Sequence, residues 1–166
     1  MTLMWIAILW TALAAEHARP DLLASGSLVI PLAAGCLFWL SSARGVLISG
    51  GTMILLWLLR SPSLPVDVLA FLTVATQQLF SLTAPRWVPT QTRRRIWTDS
   101  QSQVFVTLIV LTVHSFSVAE TTSVFLSATA SRLIVGLPIA AFLAIAFRFS
   151  DDLGLRQRPT SGFLKT

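Results

Sequence analysis

The apolar residues of this chain arrive in six long blocks separated by short polar breaks, and no other feature constrains its fold as strongly. A helix needs about 20 apolar residues to cross the ~30 Å hydrocarbon layer of a bilayer. Inside that layer every backbone N–H and C=O must be bonded within the protein, which leaves helices or closed barrels. Barrel strands would alternate apolar and polar residues, and these blocks do not. Only 11% of the residues are charged, less than half the share of an ordinary soluble domain. The pattern therefore predicts an all-α fold, a polytopic membrane bundle of six transmembrane helices over residues 1–149, followed by a polar cytoplasmic tail over 150–166.

The first block runs from Thr2 to Ala15 and closes at Glu16-His17-Ala18-Arg19-Pro20-Asp21. Its length and Ala12-Leu13-Ala14 imitate a signal peptide, but no Lys or Arg precedes the apolar run, which favours an uncleaved helix. The second block, Leu22 to Leu40, contains Pro31 and Gly35, and the third runs from Gly45 to Leu59. Two prolines enforce a turn at Arg60-Ser61-Pro62-Ser63-Leu64-Pro65. The fourth block is Val66 to Leu82. A long polar segment, Arg86 to Gln103, separates it from the fifth, Val104 to Ala119. The sixth is Leu133 to Phe149, with Val124 to Arg132 as an amphipathic lead-in.

Arginines set the orientation, because cytoplasmic loops carry the excess of basic residues. Arg86, Arg93, Arg94 and Arg95 place the long polar segment in the cytoplasm. Counting outward from it, the tail with Arg148, Arg156, Arg158 and Lys165 also falls inside, as does Arg44. Only Arg19 and Arg60 fall outside. Six spans with both termini cytoplasmic fit these charges, whereas five spans would put one basic segment on the wrong side. Trp5, Trp39, Trp57, Trp87 and Trp97 lie near block ends, where amphipathic rings prefer the headgroup region. The net charge of +5 is read as this topology signal, so no nucleic acid partner is expected. The single cysteine, Cys36, excludes an internal disulfide and reads as a packing residue.

Three features could carry function. Gly45, Ser49 and Thr52 share one face of the third helix, continuing from Ser41 with Gly50 and Gly51 beside them. Small residues at that spacing allow close helix approach in lipid, either within the bundle or against a partner's helix. Arg93, Arg94 and Arg95, flanked by Trp87 and Trp97, could contact anionic lipid or a cytoplasmic partner. His114 lies on a polar line with Gln103, Thr107, Ser117 and Thr121, near mid-span if the helix begins at Val104. An ionisable residue there is a functional candidate. The absence of an acidic neighbour in its own span favours a neutral imidazole bonded to another helix over a proton relay. Asp67, one turn after Pro65, is accounted for by the helix dipole, and Glu120 and Arg132 could form a weak surface pair. No Gly-rich phosphate loop, metal motif or nucleophile elbow occurs. Catalytic, cofactor-binding and metal-binding residues are therefore all expected to be none, and the chain is read as non-enzymatic.

Four places resemble the MreD family, the small integral membrane component of the bacterial rod-shape machinery, or elongasome. Pro20-Asp21-Leu22-Leu23 is similar to the family's opening of its second helix, and Ala43-Arg44-Gly45 leading to Gly50-Gly51 resembles the Gly-rich start of its third. Ser61-Pro62-Ser63-Leu64 resembles the turn that follows, and SRLIVGLPIAAFLAIAFRF resembles the Pro-containing last span. The chain departs from the family at Leu58, where an acidic residue is usual, and at Pro65, where Gly is usual. The resemblance implies a non-enzymatic scaffold in the bacterial cytoplasmic (inner) membrane that docks a bitopic MreC-like partner and, through it, MreB and the cell-wall (peptidoglycan) synthases. The bundle also resembles the substrate-binding subunit of energy-coupling-factor small-molecule transporters, which would need a polar pocket near the outer face.

Overall fold

The computed structural model of the chain describes residues 2–18, 26–40, 42–59, 66–83, 99–118 and 121–153, the backbone alone at 79–83 and 117–118. Among the described residues all regular structure is helical. Six helices follow one another: α1 (Thr2–Ala18), α2 (Val29–Leu40), α3 (Ala43–Leu58), α4 (Val66–Thr83), α5 (Asp99–Val118) and α6 (Thr122–Asp152).

Local chemistry explains where the helices begin. Residues 22–25 of the second apolar block lie outside the described residues, and helix α2 begins at Val29, directly after a turn in which Gly26 has φ 84°. That left-handed conformation suits glycine, which has no Cβ to clash. Pro31 then falls in the first turn of α2, where its missing N–H deprives the helix of nothing. Ser42 caps α3 by accepting from Gly45 N, and Thr121 caps α6 by accepting from Val124 N. Helix α5 starts five residues before its apolar block, with Asp99 in its first turn, where a carboxylate complements the helix dipole. The expected lead-in and last span form one continuous helix of 31 residues with Pro138 inside it.

Helix α2 is the axis of the bundle. It packs against α1, α3, α5 and α6, while contacts of α1 with α3, α3 with α4, α4 with α5, and α5 with α6 build the wall around it. Val29, Ile30, Ala33, Ala34, Cys36 and Leu37 of α2 are fully buried, with Leu9, Met53, Phe71, Leu111 and Phe147 around them. An edge-on aromatic chain ties α1, α2 and α6. Trp5 lies 6.1 Å from Trp39, which lies 5.0 Å from Phe147. Trp5 is 3% exposed, so it is a core residue rather than the interfacial ring expected from its place near a block end.

Large apolar side chains lie on the outside of the molecule as well as in its core, and charged ones lie inside. Leu3, Leu47, Phe116, Ile134 and Phe142 are each at least 70% exposed, while Glu16, Asp67, His114 and Arg132 are buried. Charged residues are almost never buried in soluble proteins unless paired, and contiguous exposed apolar surface marks an apolar environment or partner. Helix α6 is long and apolar enough to cross a membrane.

Candidate functional site

Four buried ionisable residues, Glu16, Asp67, His114 and Arg132, lie toward the end of the bundle where α1 ends and α2 begins, while a fifth, Asp99, is buried at the other end of α5. Glu16, Asp67 and His114 come from the end turns of their helices, and Arg132, the eleventh residue of α6, reaches back one turn to Ala128 O. Glu16, in the last turn of α1, accepts hydrogen bonds from the backbone N–H groups of Gly26, Leu28 and Val29, the last at 3.0 Å. These donors belong to the start of α2 and would otherwise lack partners. One carboxylate thus closes the α1–α2 connection.

Asp67, in the first turn of α4, meets His114 of α5, with Oδ2 2.6 Å from Nδ1. The contact agrees with the expectation that His114 bonds to another helix, here through an acidic residue, and it corrects the reading of Asp67, which is held by more than the dipole of α4. His114 also lies nearer the end of α5 than expected. Because α5 starts at Asp99, it is the sixteenth of 20 residues.

Arg132 completes the cluster. It is 6% exposed, so it is not a surface residue; Glu120, the partner considered for it, lies outside the described residues. Its Nη1 donates to Ala128 O at 3.0 Å and reaches Ser115 Oγ at 3.5 Å. The stem runs back toward the helix N-terminus, as long side chains on helices do. The charges of Glu16 and Asp67 both act on its guanidinium. Five helices therefore meet at one set of charges: α1 through Glu16, α2 through the N–H groups it presents, α4 through Asp67, α5 through His114 and Ser115, and α6 through Arg132.

The inner face of α5 is polar at both ends and dry between them. Asp99, Ser100, Gln103 and Thr107 are buried toward its start, and His114 and Ser115 toward its finish. Val110 and Leu111, both fully buried, interrupt the line. Thr107 and Ser115 hydroxyls donate to the carbonyls four residues back, Gln103 O and Leu111 O. Of the rest of the expected polar line, the Ser117 side chain lies outside the description, and Thr121 is the exposed cap of α6.

The small-residue face of α3 points into the bundle. A Cβ at Gly45 would stand 3.0 Å from Leu40 Cβ and 3.4 Å from Cys36 O of α2. Ser49 is fully buried and donates to Gly45 O at 2.6 Å, and Thr52 donates to Ile48 O at 2.8 Å. Gly45, Ser49 and Thr52 are thus occupied by contacts within the molecule, which leaves that face closed to a partner helix. Arg93, Arg94 and Arg95 lie outside the described residues.

A cleft of about 420 Å³ opens between α4 and α5 above Phe38, with Gln77, Gln78 and Ser102 contributing its polar groups. It sits away from the ionic cluster, toward the C-terminal end of α4. Among the described residues no group of three or more His, Cys, Asp or Glu side chains is placed to hold a metal ion. In comparisons with known proteins, no family model, curated protein or solved structure matches the chain.

Proposed function

We propose that the protein is a six-span integral membrane scaffold of the bacterial cell-shape machinery, similar to MreD, with both termini in the cytoplasm. In this reading it docks a bitopic MreC-like partner and, with it, the cell-wall synthases. The observation that carries the reading is the buried ionic cluster. In it Glu16 holds the backbone at the start of α2, Asp67 pairs with His114, and Arg132 reaches Ser115 and the Ala128 carbonyl. Polar groups sealed in this way fix the mutual positions of helices, which is the work of a scaffold, and the apolar outer faces remain for lipid and for a partner's span.

The energy-coupling-factor alternative needs a polar ligand pocket near the outer face. Arginine parity puts the ionic cluster at that face. The 420 Å³ cleft, lined by the C-terminal half of α4, then opens toward the cytoplasmic side. Its position speaks for the scaffold.

Co-purification from native membranes tests the reading. The expected result is recovery of a single-span protein with a large extracytoplasmic region, together with cell-wall synthesis proteins. Recovery of an ATPase-coupled transporter subunit, or binding of a vitamin by the isolated chain, would replace the scaffold with the alternative.

A further inference from the structure

A second groove, of about 360 Å³, lies on the outside of the molecule between α5 and α6. Val104, Phe105, Leu108 and Ile145 wall it, and Ser100 and Arg148 close one end. Phe105 and Ile145 are exposed, so the groove opens sideways, away from the core. From Ser100 to Leu108 it follows nine residues of α5, a rise of about 12 Å at about 1.5 Å per step. Its polarity runs in one direction, from hydrocarbon to a hydroxyl and a cation.

Arg148 is out of place by composition. It stands exposed at the end of the apolar stretch of α6, one residue before Phe149, with Asp151 and Asp152 following in the last turn. A charge beside hydrocarbon is costly unless its head reaches a polar partner. Among the described residues no hydrogen bond or ion pair engages its guanidinium. An arginine stem lies well along apolar surface while its head reaches the interface, and the guanidinium fork matches phosphate oxygens. A slot with hydrocarbon walls and a cation and hydroxyl at its mouth has the polarity of one phospholipid chain joined to a phosphate.

We propose that the α5–α6 groove binds an anionic phospholipid, with an acyl chain along Val104, Leu108 and Ile145 and the phosphate against Arg148 and Ser100. The site rests on the membrane reading above. By arginine parity it lies at the cytoplasmic leaflet, where Arg148 faces a negatively charged surface.

The test is native mass spectrometry of the full chain extracted from membranes, with phosphatidylglycerol and phosphatidylcholine as probes. The wild type should retain phosphatidylglycerol about fivefold better, the preference one arginine gives at an anionic surface. Arg148→Gln should abolish that preference, and Ala144→Trp, which fills the groove, should lower retention of both lipids. Neutralising Arg93, Arg94 and Arg95 together should leave the preference in place. Equal retention by the wild type, or a preference that follows the arginine triplet rather than Arg148, would overturn the site alone. Release of the chain from membranes by carbonate would overturn the membrane reading and the site together.

Discussion

Two carboxylates and one guanidinium share the buried cluster, so Arg132 is the charge on which its balance depends. Arg132 is the buried cation toward which both carboxylates act, and His114 Nδ1 stands 2.6 Å from Asp67 Oδ2. Arg132→Met would leave both carboxylates buried with the imidazole alone beside them. Removing one member of a buried ionic group costs about 3–5 kcal/mol. Asp67→Asn keeps Glu16 against Arg132 and should cost less. Adding Asp67→Asn to Arg132→Met should recover part of the loss, because the second change removes the charge that the first exposed. Thermal unfolding in detergent would rank the three variants, and strictly additive losses would show that Arg132 and Asp67 do not share a charge balance. Little of this cluster was legible in the sequence. Asp67 and His114 are 47 positions apart, and helical periodicity compares only residues one or two turns apart on the same helix. The polar line on α5 made His114 visible as a candidate. Its partner could appear only once α4 and α5 were side by side.

The helices themselves were far more legible than their contacts. Hydrophobic blocks recovered all six in order, with α4 matched to within a residue, since apolar runs and proline breaks are local properties. The starts of α2 and α5 were missed for opposite reasons. A Glu16-capped turn at Gly26 directly precedes α2, whereas a favourable acidic first turn extends α5 into a segment read as polar loop. Close approach was also misassigned in part. The stripe on α3 was visible, but α6 approaches α5 through Gly136, where an added Cβ would stand 2.6 Å from Leu111 Cδ1 and 3.3 Å from Ser27 O. Gly136→Leu should therefore push α6 off α5 and the start of α2, at about 1–3 kcal/mol for overpacking. Gly45→Leu should act in the same direction by forcing α3 away from Leu40 and the Cys36 carbonyl. Gly51→Ala is the control. Nothing lies within 4 Å of a Cβ there, so the helix should gain up to about 1 kcal/mol from alanine's better propensity. Midpoints of thermal unfolding in one detergent would separate the signs. A loss at Gly51→Ala matching that at Gly136→Leu would mean that helix packing does not distinguish the two positions.

Taken as a whole, the bundle assigns different chemistry to its two ends, and this gives the proposed orientation a direct physical test. The ionic cluster sits where α1, α3 and α5 finish, and the arginine-rich connection and the polar tail belong to the opposite end. In a membrane the basic end stays in the cytoplasm because moving its arginines across would be costly. The α5–α6 connection at Thr121 and Ser123 would then face outward, with no Lys or Arg before Arg132. Cysteine labelling can read this with little interference, since the one native thiol, Cys36, is fully buried in α2. Ser123→Cys, exposed in the first turn of α6, should react with a membrane-impermeant maleimide added to intact cells. Arg94→Cys should react only after the membrane is opened. The reverse pattern would invert the bundle and bring the 420 Å³ cleft toward the outer face, where the transporter-subunit reading needs a pocket. Labelling of both positions from outside would require an even number of crossings between them in place of the single α5 span, and would end the six-span arrangement. The same experiment therefore tests topology and discriminates between the two functional readings, because each requires a different end of the molecule to face outward.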